Sequence, residues 1–175
     1  MALELLYYGH NVSMFGPDVA LTGDPSIDNA AVAAAGYLAG ALVKLAVSSN
    51  NPDGVALVLA DGNVDGAEAI LGAVITEPGE FANTIGPSGS NRISVARGYW
   101  VGNLYNGAFQ PASGTNLYTV GAKLYCGNGT SAGKYTSNKT VAQDGNTAAI
   151  TGNPVGVVTH TPTTTEPWLG IASLI

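Results

Sequence analysis

The sequence predicts a mainly β protein: a small β-barrel or β-sandwich-like body of short strands, carrying an extended N-terminal arm. Three observations carry that expectation. Short β-branched runs such as VALVLA (55–60) and AILGAVIT (69–76) are bounded by Gly, Asp or Pro, the usual signature of strands separated by turns. Charged residues make up only 10% of the 175, well below the roughly 25% of ordinary soluble proteins. Thr, Ser, Asn and 24 glycines stand in their place. Finally, two glycine-led strand segments occur twice along the chain.

Residues 1–35 are expected to form the arm. Leu3, Leu5, Leu6, Tyr7, Tyr8, Met14 and Phe15 alternate with the turn formers Gly9, Gly16-Pro17 and Gly23-Asp24-Pro25, and no period is sustained. So much apolar surface must lie on something, either the chain's own body or another subunit. From Asp28, a capping residue, a brief helical turn or loop is expected, because Gly36 and Gly40 oppose a long helix. A strand over 41–47 follows.

Residues 36–82 form a first β segment and 83–175 a second, packed with it as one compact body. The loop 77–92, rich in Gly and Pro, marks the division. Beyond it, strands are expected over 93–101, 117–126, 155–160 and 168–175, with at most short strands within 127–153.

The repeat ties the two segments together. Gly40-Ala41-Leu42-Val43-Lys44-Leu45 is echoed by Gly121-Ala122-Lys123-Leu124-Tyr125, and Gly72-Ala73-Val74-Ile75-Thr76-Glu77-Pro78 by Gly156-Val157-Val158-Thr159-His160-Thr161-Pro162. The spacing between the two glycines is similar in both copies, as expected of one supersecondary unit used twice.

Composition narrows the function. A net charge of -6 with six scattered cations (Lys44, Arg92, Arg97, Lys123, Lys134, Lys139) disfavours nucleic acid, whose phosphates require clustered Lys and Arg. One cysteine, Cys126, rules out an intrachain disulfide. The start, MALELLYYGH, lacks the basic region and cleavage site of a signal peptide, and no apolar run reaches the length of a membrane span. A soluble protein of the cytoplasm is therefore expected, with no membrane partner. A surface so poor in ions can be buried against a neighbour without stranding charges, which favours assembly.

No catalytic constellation is expected. His10 and His160 are the only histidines, too few for a typical zinc site or for nucleophile–base pairs. Neither a nucleophile elbow nor a phosphate loop is present. Asp61-Gly62-Asn63-Val64-Asp65-Gly66 matches the first half of a calcium loop, but Gly72 stands where the twelfth-position Glu belongs. A hairpin turn accounts for the same residues. The expected protein is not an enzyme and takes no metal or cofactor.

The repeated segments, together with Val55–Gly62 and Trp168-Leu169-Gly170-Ile171-Ala172, resemble the head decoration, or cement, proteins of tailed bacteriophages. The resemblance implies a small β-barrel or sandwich, frequently trimeric, in the virion. It binds the exterior of an expanded icosahedral capsid and stabilises the shell. The implied partners are the major capsid protein and neighbouring copies of the chain. The expected contact residues are Leu5, Leu6, Tyr7, Tyr8, Met14 and Phe15 of the arm, with Tyr99, Trp100 and Tyr105. A receptor- or glycan-binding β module of a virion tail or surface is the alternative, with the exposed aromatics as its sugar platform.

Overall fold

In the computed structural model of the chain, the structure describes residues 3–8, 12–20, 25–50, 54–62, 70–75, 93–105, 107–110, 117–139 and 149–175. It is mainly β. The strands are β1 (Leu3–Tyr8), β2 (Val12–Phe15), β3 (Leu42–Val47), β4 (Val55–Leu59), β5 (Gly72–Val74), β6 (Ile93–Ala96), β7 (Trp100–Leu104), β8 (Lys123–Cys126), β9 (Tyr135–Thr136), β10 (Gly156–His160) and β11 (Leu169–Ser173). One helix, α1, spans Pro25–Ala34.

Two antiparallel sheets result, ordered β2-β6-β5-β3-β4 and β1-β7-β11-β10-β8-β9. Leaving β1 aside, they are the same sheet twice. The five strands β2 to β6 and the five strands β7 to β11 are each arranged first-fifth-fourth-second-third. Registers agree as well. Leu42 pairs with Ala73 and Val43 with Gly72, while Lys123 pairs with Val157 and Leu124 with Gly156. The echoes in the sequence are thus equivalent positions of two like units, β2–β6 and β7–β11. The chain crosses from one unit to the other between β6 and β7; the 77–92 loop lies outside the described residues.

Each unit also closes on itself at an equivalent seam. After β2 the chain crosses to the free edge of β4, where Leu57 N–H donates to Gly16 C=O and Asp18 N–H donates to Leu57 C=O, both at 2.8 Å. After β7, Tyr135 N–H donates to Ala108 C=O at 3.0 Å and Gln110 N–H to Tyr135 C=O at 2.9 Å. Curling a sheet until its first strand meets its last removes unpaired edges, the logic of a small barrel.

Two glycine positions show why the echoes are more than texture. A Cβ on Gly72 would lie 2.0 Å from the carbonyl oxygen of Ala96, and one on Gly156 would lie 3.0 Å from that of Ala172. At Gly72 the fourth strand passes the fifth so closely that no side chain fits, and at Gly156 the approach is tight. Gly40 and Gly121 have φ of +93° and +86°, which a residue with Cβ adopts only at a cost. Both turn the chain into the second strand of their unit, and both donate N–H to the matching carbonyl, of Val74 or Val158.

Equivalent side chains fill the two cores. Val43, Val74, Ile93, Val95 and Leu57 pack beneath Val32 of α1 and Tyr37. Leu124, Val158, Leu169, Ile171 and Tyr135 pack with Trp100, Leu104, Phe109 and Tyr118. The first unit's sheet buries residues on both faces: Leu42, Ala73 and Ala96, on its other side, join the second core.

Several local expectations are corrected. The helix is longer than a turn, because Pro25 opens it at a position where the missing N–H costs nothing. Gly36 lies past its end in the left-handed region, so it terminates the helix rather than opposing it. The strand expected over 93–101 is two strands in different sheets, parted at Gly98 with φ +85°. The strand expected over 117–126 shortens to β8, because Gly121 turns the chain and Ala122 N–H closes on Thr119 C=O. The segment expected as an extended arm is extended in β1 and β2 but helical over α1.

The arm lies on its own body. β2 pairs with β6 from Phe15↔Ile93 to Val12↔Ala96, and β1 pairs with β7, where the register shifts between Leu5 and Tyr7. Backbone hydrogen bonds from one segment thus reach both units.

Gly72→Ala should lower stability by about 2–3 kcal/mol in urea denaturation, since the new methyl meets backbone that cannot yield. Gly121→Ala, with open space around the added Cβ, should cost only about 1 kcal/mol of left-handed strain. Equal losses at the two sites would contradict the close-approach explanation.

Candidate functional site

The two seams carry a matched tyrosine, which the sequence reading missed. Tyr37, three residues before Gly40, donates its hydroxyl to Leu57 C=O at 2.6 Å. Tyr118, three residues before Gly121, donates to Gln110 C=O at 2.7 Å and lies 3.4 Å from Tyr135 C=O. Each phenol bolts the seam of its own unit. The signal was available: the echo extends to Tyr-x-x-Gly-Ala in both copies. Burial pushes the Tyr37 hydroxyl up to about 12, and burial likewise raises that of Tyr135, reinforced by the nearby Cys126 thiol.

The residues expected at a partner surface separate into four groups. Leu5, Leu6, Tyr7 and Tyr8 lie in β1 and Met14 in β2, committed through their backbone to the chain's own sheets. Phe15 is half-buried against the first core. Tyr99, at the crossing between β6 and β7, is 48% exposed, whereas its neighbour Trp100 is fully buried. Trp100 is therefore a core residue, because the strand alternation that begins there turns it inward. Tyr105 is half-buried, its ring 6.3 Å from that of Trp168.

The structure assembles a polar cluster at the β10–β11 turn that sequence reasoning had left as a strand end. His160 Nε2 lies 2.9 Å from Glu166 Oε2 and Nδ1 lies 3.3 Å from Trp168 C=O. The imidazole stacks on the Trp168 indole at 5.3 Å. Glu166 N–H in turn donates to Thr163 Oγ1, and Thr163 N–H to Glu166 C=O. These bonds brace a Thr- and Pro-rich turn. Gly170 admits the bulge: a Cβ there would approach His160 Cβ to 2.6 Å.

A groove of about 460 Å³ opens at β8 and the segment after β9, lined by Leu117, Ala122, Lys123, Tyr125, Ser137, Asn138 and Lys139. Lys139 Nζ sits 5.1 Å above the Tyr125 ring, a cation–π contact that holds the ammonium at the rim. No carboxylate of the described residues lines it.

Cys126 is buried, with Sγ 3.3 Å from Ala60 C=O, so it is a packing residue joining the units. Of the calcium-loop motif, Asp61 and Gly62 are described, while Asn63, Val64, Asp65 and Gly66 lie outside the described residues. Among the described residues no group of three or more His, Cys, Asp or Glu is placed to hold a metal ion. No described helix is long and apolar enough to cross a membrane. No protein-family model matches the chain, and no curated protein matches it.

The buried phenol makes stability pH-dependent with a definite sign. Tyr37 ionises near 10 when unfolded and near 12 when folded, so its contribution is intact below pH 10 and is lost between pH 10 and 12. Alkaline equilibrium unfolding should steepen in that window, by up to about 1.4 kcal/mol per pH unit from this group. Tyr37→Phe should cost about 1 kcal/mol at pH 7 through the lost hydrogen bond, yet flatten the alkaline slope.

Proposed function

We propose that this chain is a structural virion protein that binds the outside of an icosahedral phage capsid and cements the shell through contacts between subunits. The observation that carries the reading is the repeated glycine-led segment. The sequence pattern that resembles head decoration proteins falls on equivalent paired strands of two closed β units, the small-barrel body that resemblance implies. Scarce charge supports it, because low-charge surface is cheap to bury at a subunit joint.

The buried Trp100 narrows the contact surface. Tyr99 is an exposed member among the aromatic residues named from the sequence, beside the crossing that joins the two units. Major capsid protein is the partner, and many copies per particle turn modest single contacts into tight occupancy. The role is non-catalytic and needs no cofactor.

Purified protein incubated with expanded, undecorated shells should co-sediment with them and should be found in virions by mass spectrometry. Tyr99→Asp should reduce shell occupancy at least tenfold with little change in Tm. Trp100→Ala should instead lower stability by about 3–5 kcal/mol, as for other buried aromatic truncations. Failure of the native protein to bind shells, together with its absence from virions, overturns the reading.

A further inference from the structure

Two of the chain's six cations meet in the groove beside β8. Lys123 and Tyr125, two residues apart on that strand, project from its outer face, while Leu124 and Cys126 alternate with them and are buried. Lys139 reaches over the Tyr125 ring, its Nζ 5.1 Å from the centroid. Both ammonium groups thus stand at one cavity of about 460 Å³.

No described group answers their charge. Among the described residues no carboxylate lines the groove, and neither Lys123 nor Lys139 forms an ion pair. In a chain with 12 Asp and Glu against 6 Lys and Arg, this leaves a local positive field on an acidic whole. The strand pairing does not call for a cation there: the register that aligns Gly156 with Gly72 puts Lys123 at the position of Leu42 in the first unit.

A third group points the same way. Ser137 Oγ, in the groove wall, is buried and has no hydrogen-bond partner. An unpaired buried hydroxyl is destabilising, and a turn about χ1 is the movement that would offer it to an acceptor in the groove. Asn138, also in the wall, is already engaged within the fold. Leu117 and Ala122 supply an apolar side.

We propose that the groove binds a small organic anion, its carboxylate or phosphate held between the ammonium groups of Lys123 and Lys139 and its body against Leu117 and Ala122. The cavity has the size of small-molecule sites, about 300–1,000 Å³. Lysine suits either anion, since an ammonium acts as a point charge without the paired geometry that arginine imposes. Lys123 is exposed and Lys139 half-buried, so the anion exchanges freely with solvent. This site does not rest on the capsid reading.

Titration of the isotope-labelled full chain with benzoate and with phenyl phosphate, followed by amide chemical shifts at low salt, tests the proposal and separates the two anions. At least one of them should saturably shift Lys123, Tyr125, Ser137 and Lys139, and added sodium chloride should weaken the binding. Benzyl alcohol, an uncharged counterpart, should leave those signals in place. Lys123→Gln and Lys139→Gln should each weaken binding by roughly threefold or more with unchanged Tm, as expected on losing one of two charges. Lys134→Gln, outside the groove, should bind like the native chain. Absence of a saturable shift with both anions, equal binding of benzyl alcohol, or native affinity in both groove variants would each overturn the proposal.

Discussion

Everything in this molecule depends on one antiparallel ribbon. β1 and β2 run along β7 and β6, pairing residues that are roughly eighty to a hundred positions apart in the chain. Such contacts carry a loop-closure cost that grows slowly with length, and they form late relative to local hairpins. In return, one extended segment supplies the first strand of the first unit and an added edge strand to the second. The second core also takes in Leu42, Ala73 and Ala96 of the first unit, so the ribbon and a shared core together make the two units one body. The ribbon also commits the backbone of the arm's strands to the chain's own sheets.

How much of this was legible follows from the same residues. The strand–turn rhythm was readable because β-branched runs are punctuated by Gly and Asp, and the echo of Gly40 in Gly121 and of Gly72 in Gly156 was readable because each glycine answers a backbone demand. What is set by long-range pairing was not. Nothing local in Ile93–Leu104 says that Gly98 sends its two halves into different sheets, and nothing local in Trp100 says that it faces inward. The tyrosines at the seams were within reach, lying at a fixed offset from each glycine, but a phenol three residues before a turn means little until its acceptor carbonyl is known. The groove was out of reach, since Lys123 and Asn138 come together only through the β8–β9 register.

The units have diverged where their surroundings differ. On the face that the first unit turns toward the second core stand Leu42, Ala73 and Ala96. The matching positions of the second unit are Lys123, Val157 and Ala172, exposed or half-buried. The backbone tolerates both because the pairing pattern uses only main-chain groups, which leaves the side chains free to follow burial. Where burial is common to both units, as at Val74 and Val158 or Ile93 and Leu169, the residues stay aliphatic.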